Sequence, residues 1–188
     1  LQVVDFHFNS LDGHIHDITE EHPLLYLDVS ENFLGGGLPA SINQMKKLTH
    51  LDVSSNRFEK LLPNDLGSLT NMETLMLSDN DMFGLQAIPD WLKGMTKLRH
   101  LSLKLTDRTG PIPDWFSDLT RLETLDLDWN HITGTLPDFS KLSNLRHLLL
   151  NRNFLDGTIP TEVAQLPDLK MLMVDDNRLV GELDACNV

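Results

Sequence analysis

The stretch Leu48-Thr49-His50-Leu51-Asp52-Val53-Ser54-Ser55-Asn56 decides the fold, because its apolar and polar positions return along the chain in the same order. Residues 24–32 read Leu-Leu-Tyr-Leu-Asp-Val-Ser-Glu-Asn, and residues 122–130 read Leu-Glu-Thr-Leu-Asp-Leu-Asp-Trp-Asn. Outward from Asn56, the same column holds Asn9, Asn32, Asn80, Thr106, Asn130, Asn153 and Asn177, at steps of 23, 24, 24, 26, 24, 23 and 24 residues from Asn9 onward. The longer step falls on Gly84-Leu85-Gln86-Ala87-Ile88-Pro89, where two residues lengthen the wording seen at Gly110 to Pro113 and Gly157 to Pro160. A unit of this size has too few apolar positions to enclose a core, so neighbouring units must bury one between them.

Within each unit the Leu-x-Leu segment alternates, as a strand does. Leu51 and Val53 are expected to face inward, with His50, Asp52 and Ser54 outward. The pattern LxxLxLxxNxLxGxIPxxLxxLxx resembles the plant-type subclass of the leucine-rich repeat family, from Leu1 to about Leu183. That resemblance implies an α/β, right-handed leucine-rich repeat solenoid of eight turns, with a parallel sheet on the concave face and short helical or 3-10 segments on the convex side. The chain is read as a single domain, 1–188, with units at about 1–23, 24–47, 48–71, 72–97, 98–121, 122–144, 145–168 and 169–188. The resemblance also implies that the asparagines bond the backbone of adjacent turns, and Thr106 is expected to interrupt that ladder at a cost of about 1 kcal/mol. Neither end shows an atypical polar unit, so the caps are expected to lie outside this stretch. Val4, Phe6, Leu11 and Ile15 are then expected to lack a neighbour. Cys186 is either the first half of a cap disulfide, as relatives with paired cap cysteines imply, or a buried free thiol.

Composition narrows the function. Among 188 residues there are 15 Lys and Arg against 28 Asp and Glu, a formal charge of −13, which would repel a phosphate backbone. No nucleic-acid partner is expected. Apolar runs such as Leu148 to Leu150 are far shorter than the roughly 20 residues of a membrane-spanning helix. Membrane association is expected only through partners or flanking segments, and any targeting signal is expected outside these residues.

The outward columns carry whatever recognition exists. Early turns present small and acidic residues, whereas turns five to eight add Leu105, Trp129, Leu149, Met171 and Met173, rimmed by Asp126, Asp128, Asp175, Asp176 and Arg152. Apolar groups with a polar rim are how binding surfaces are built. Asp28 and Asp52 read as solvated members of a repeated wording. On the convex side Asp90-Trp91, Asp114-Trp115 and Asp138-Phe139 recur. Trp91 and Trp115 are expected to pack on the preceding unit, and would mark a docking site only if exposed; Phe139 is expected to turn inward.

No catalytic constellation is legible. His50, His100 and His147 share a column but sit two turns apart, roughly 10 Å, too far to share one ion. His14 and His16, with Asp17 and His22 nearby, form the one metal cluster the sequence suggests, and it lacks an evident full ligand set. Gly35-Gly36-Gly37 has no Lys-Ser/Thr of a phosphate loop. The reading is a protein without enzymatic activity or cofactor: a protein–protein interaction scaffold that holds a protein or peptide on its concave face. Two alternatives stand beside it: an architectural subunit of a large, membrane-associated assembly, in an organelle or elsewhere, and the ligand-binding portion of a plant-type receptor or secreted inhibitor. The last implies an extracellular setting, against which stands the absence of any Asn-x-Ser/Thr sequon.

Overall fold

A computed structural model describes residues 1–80 and 85–181. Eight three-residue strands, Val3–Asp5, Tyr26–Asp28, His50–Asp52, Thr74–Met76, His100–Ser102, Thr124–Asp126, His147–Leu149 and Met171–Met173, pair in chain order as one parallel sheet. The register is in step from turn to turn: Leu27 lies beside Leu51 and Leu51 beside Leu75, while Asp28 lies beside Asp52 and Asp52 beside Met76. A slip of one residue would turn every inward leucine to solvent, which is why the pattern tolerates only this pairing. Leu51, Val53, Leu101, Leu103, Leu125 and Leu127 are fully buried, as the alternation requires. This is the solenoid that the repeats imply.

The return path is built from extended and 3-10 pieces. Pro39, Pro63, Pro89 and Pro113 stand in extended conformation immediately before the 3-10 segments Ala40–Gln44, Asn64–Ser68, Asp90–Gly94 and Asp114–Asp118, and Pro160 precedes the single helical turn Thr161–Ala164. A proline suits that place, because its fixed φ leads into the turn and its missing N–H would have had no partner there. Each segment turns one apolar residue into the core: Ile42, Leu66, Leu92, Phe116 and Val163. Phe139 is fully buried, as its position predicts.

Two features lie beyond the repeat pattern. A second set of short parallel strands runs along one edge of the coil, in one piece from Asp12–Gly13 to Arg57–Phe58 and another from Gln86–Ala87 to Phe154–Leu155. The residue before each ladder position is also left-handed: Phe8, Glu31, Ser55, Asp79, Leu105, Trp129, Arg152 and Asp176 have φ between 50° and 55°. That conformation costs about 1–2 kcal/mol for a residue with a Cβ. It is repeated in every turn, so something in every turn must offset it.

The asparagine ladder does. Asn130 donates from Nδ2 to the carbonyls of Leu127 and Asp128 in its own turn and to Leu103 in the turn before, while its Oδ1 accepts the N–H of Arg108 at 2.8 Å. Asn32, Asn56, Asn80, Asn153 and Asn177 make the same reach to a carbonyl 26 or 27 residues back. Every polar atom of the buried amide is thus satisfied by backbone that would otherwise lack a partner. Asn9, by contrast, is exposed, and among the described residues its side chain bonds only the carbonyls of Phe6 and His7 in its own segment.

Thr106 interrupts the ladder as expected. Its Oγ1 donates to Leu103 within the same turn, and it makes no bond to an earlier turn among the described residues. The unexpected residue is Arg108. It stands where other turns put an inward Leu, Ile or Phe and is 1% exposed. Its Nε donates to the Thr106 carbonyl at 2.9 Å and its Nη1 lies 3.4 Å from the Ala87 carbonyl. Burial pulls the guanidinium down to about 10, with Asp107 opposing, so it remains a cation at neutral pH. The long side chain therefore spends hydrogen bonds on the widened turn, whose inserted stretch is described over residues 85–89.

At the first turn Phe6 and Leu11 are exposed, while Val4 and Ile15 are half-buried against the core. Cys186 lies outside the described residues. Replacing Asn130 by Ala strands the carbonyls it serves and the N–H it accepts, so urea unfolding should show a loss of about 3 kcal/mol or more, each buried group left unpaired costing about 1–3 kcal/mol. Asn9→Ala, at the solvent-facing end of the same column, should change stability by less than about 0.5 kcal/mol.

Candidate functional site

Three rows of side chains define the concave strip in turns five to eight. One is formed by strand residues: Asp126 lies beside Leu149, and Leu149 beside Met173. Another is formed by the left-handed residues Leu105, Trp129, Arg152 and Asp176. Between them Asp128 and Asn151 sink into the surface and make the floor. Alternation alone places a side chain outward; the positive φ sets where it leaves the backbone, and so lifts Leu105 and Trp129 beside the strand row.

The apolar members are accessible: Leu105 is 39% exposed, Trp129 45%, Met171 44% and Met173 40%, with Leu149 half-buried between them. The Arg152 guanidinium lies over the Trp129 ring at 3.8 Å from its centroid, and its Nε pairs with Asp176 at 3.2 Å. That contact holds the indole in place without burying its free face, and is worth about 0.5–1 kcal/mol at an exposed site. Asp175 is exposed and Asp126 half-buried. Asp128, expected on the rim, is instead 7% exposed. Its Oδ1 accepts the N–H of Asn151 at 2.7 Å, and burial pushes its carboxyl above the ordinary value. Its task is to tie turn six to turn seven.

The two convex tryptophans do not meet the exposure that a docking ridge requires. Trp91 and Trp115 are half-buried and packed against the core. Trp115 donates from Nε1 to Asp90 of the preceding turn at 2.9 Å. Trp91 lies directly on Gly67, where a Cβ would come within 2.5 Å of the Trp91 Cβ. Both rings are spent on the preceding turn, which is the packing alternative the sequence offered.

The first three turns hold a second constellation. Tyr26 and His50 stack with centroids 4.0 Å apart and planes 6° from parallel. In-register pairing sets Asp5 beside Asp28 and Asp28 beside Asp52, with His50 two residues before Asp52 on the same face. Two overlapping sets of donors result, Asp5–His7–Asp28 and Asp28–His50–Asp52, each with its donor atoms within 4.8 Å of one another. Burial pushes His50 down and Asp52 up, each disfavouring the charged form. His7, exposed and bonded to Asp5 at 2.7 Å, is raised by that carboxylate, and Asp5 is lowered in turn. The histidines favoured by sequence lie elsewhere: His14 and His16 touch edge to face at 4.5 Å, and Asp17 is engaged by the Ser41 hydroxyl, but no third donor joins them among the described residues. Read one column at a time, Asp28 and Asp52 look like repeated wording. Reading across columns, with Tyr26, His50 and the aspartates in register, is the signal that would have found the cluster.

A coil of this kind, presenting fixed columns of side chains on a rigid parallel sheet, defines a repeat protein whose specificity lies in surface residues and not in its core. The family model described as a leucine-rich repeat matches residues 85–132, and a second leucine-rich repeat model matches 47–69 and 144–166. The chain belongs to the leucine-rich repeat family, in its plant-type form. It is 33% identical over 115 residues to Receptor-like protein 39 of Arabidopsis thaliana, covering 60% of this chain and 13% of that protein. Among solved structures it matches the ectodomain of the Arabidopsis thaliana receptor kinase GASSHO1/SCHENGEN3, in complex with CASPARIAN STRIP INTEGRITY FACTOR 2. The TM-score is 0.89 at 36% identity, over 97% of this chain and 22% of the other. A plant ice-binding protein shares the coil at a TM-score of 0.70 and 28% identity, over 96% of this chain and 66% of the other. The chain thus spans a small part of the receptor relatives, and coils alike in shape carry different functions.

The raised Asp52 carboxyl has a definite sign. A group that binds its proton more tightly when folded favours the folded state at low pH, and that contribution is lost as pH rises through its folded value. Asp52→Asn keeps an oxygen for the Ser54 N–H and hydroxyl. It should therefore be more stable than the unmodified chain at pH 7, with the gap closing as pH falls through the raised Asp52 value and gone once pH is below the ordinary carboxylate value, as followed by thermal melts across pH.

Proposed function

We propose that this chain is a non-catalytic recognition segment that binds an extended peptide along the concave strip of turns five to eight, as part of a receptor-type leucine-rich repeat protein. The observation that carries it is the exposed Trp129, clamped by Arg152 beside Leu105 and within the same strip as Leu149, Met171 and Met173. A large ring held rigid at its edge and open on its face is what an anchoring contact needs, since little side-chain freedom is lost on binding. Four turns span three strand spacings, about 14 Å, which about four extended residues of a ligand would cross. With the chain at −13, basic side chains flanking an apolar anchor suit the strip best.

Relatives support the class. GASSHO1/SCHENGEN3 is seen with CASPARIAN STRIP INTEGRITY FACTOR 2, and the HAESA ectodomain, at a TM-score of 0.84 and 27% identity, with a peptide hormone ligand. An extracellular setting goes with this reading. No helix among the described residues is long and apolar enough to cross a membrane. Asp128 is left out of the contact set because its carboxylate is committed to Asn151.

Short random peptides displayed on phage and selected on the immobilised chain should yield binders. Trp129→Ala combined with Met173→Ala should weaken the selected peptides roughly tenfold or more, about 1.4 kcal/mol. The exposed convex change Lys93→Ala should leave them unaffected. Equal affinity for the double variant would remove this strip from the binding face.

A further inference from the structure

We infer that the concave face of the first three turns carries a divalent transition-metal site, formed by Asp28, His50 and Asp52, with Asp5 and His7 at its outer edge. The geometry points to it on three grounds.

The donors converge because the repeat register makes them. Asp28 and Asp52 are paired across adjacent strands, and His50 sits one outward position from Asp52 on its own strand. Their ligand atoms lie within 4.8 Å of one another. Around an ion with bonds of about 2.0–2.2 Å, tetrahedral donors stand about 3.4 Å apart, so closing the site brings each pair of donors together by no more than about 1.4 Å.

The donors are also held. In each aspartate one oxygen is fixed, Asp28 Oδ1 by the Ser30 N–H and hydroxyl and Asp52 Oδ1 by the same groups of Ser54. Asp28 Oδ2 receives only a long bond of 3.3 Å from the Tyr26 hydroxyl. The remaining oxygens are free to turn toward a cation, and the fixed ones orient them as outer partners orient metal ligands. The His50 ring is locked by its stack on Tyr26.

The imidazole, finally, lacks a partner it should have. His50 Nε2 is shut off from solvent and makes no hydrogen bond. Buried polar atoms of this kind ordinarily have one. Two carboxylates crowded beside it in a half-buried setting repel each other, and a divalent ion would relieve that repulsion while giving the ring nitrogen a ligand role.

One imidazole with two or three carboxylates is a mixed nitrogen and oxygen set, which favours Zn²⁺, Co²⁺ or Mn²⁺ over the all-oxygen cages that Ca²⁺ takes. With three protein donors the ion would keep positions open toward the groove.

Calorimetric titration of the whole chain with ZnCl2 should show one ion bound per chain, at least tenfold more tightly than CaCl2. Co²⁺ at the same site should give a visible absorption band. Asp28→Asn with Asp52→Asn should weaken Zn²⁺ at least tenfold and abolish the Co²⁺ band, while His147→Gln, in the same column as His50 but outside the cluster, should leave both unchanged. Should the double aspartate variant not fold, as judged by far-ultraviolet circular dichroism, His50→Gln carries the same expectation. No uptake by the unmodified chain would overturn the site. So would a loss that follows His14→Gln with His16→Gln in place of the Asp28, His50 and Asp52 changes.

Discussion

A buried asparagine amide has two donors and an acceptor that must all be met, and this coil is arranged around meeting them. Each ladder asparagine reaches carbonyls of its own turn and one of the turn before, and accepts an N–H from the edge strand. That single side chain locks three pieces of backbone from two turns together. Without it the parallel strands, three residues each, would have too few hydrogen bonds to fix their spacing. The hydrophobic stack supplies the larger driving force, but it is non-directional; the amide is what sets the register of one turn upon the next.

The same constraint shapes the binding face. To aim the asparagine inward, the residue before it adopts a left-handed backbone, and that residue's side chain is carried onto the concave rim. Recognition and folding therefore share a strained position. In turns two to four it is occupied by Glu31, Ser55 and Asp79, and in turns five and six by Leu105 and Trp129. A bulky residue there carries the larger steric penalty. Trp129 is also the ring that Arg152 covers on one side only. The fold is indifferent to the change; only the surface is altered.

The concave face divides accordingly. Its first three turns gather titratable groups in register, and its last four present apolar groups at the rim. The second region begins at turn five, where Thr106 replaces the ladder asparagine and Arg108 a core apolar residue. The buried guanidinium stays charged although burial pulls it down to about 10, and the backbone carbonyls of Thr106 and Ala87 that receive it offset part of the lost hydration. The eight strands stay in one sheet across the insertion, with Arg108 bonding back to Ala87 of the lengthened unit.

The repeat spacing by itself determined the solenoid, the parallel sheet, the inward leucines and the interrupted ladder at Thr106, because stacking identical short units leaves only one way to bury their apolar side. Alternation along the strand also marked Met171 and Met173 as outward, and the place of Leu105 and Trp129 just before the ladder position put them in an outward column of the repeat. Tertiary structure alone decided what lies across the columns. Asp128 reads as an exposed rim residue but sinks to cap the next turn's N–H, Trp91 settles on Gly67 24 residues earlier, and Arg108 enters the core. His50, Tyr26 and the aspartates meet only once neighbouring turns are set in register. Contacts between turns join residues more than 20 positions apart, and their geometry depends on side-chain lengths and on the left-handed backbone, neither of which periodicity records.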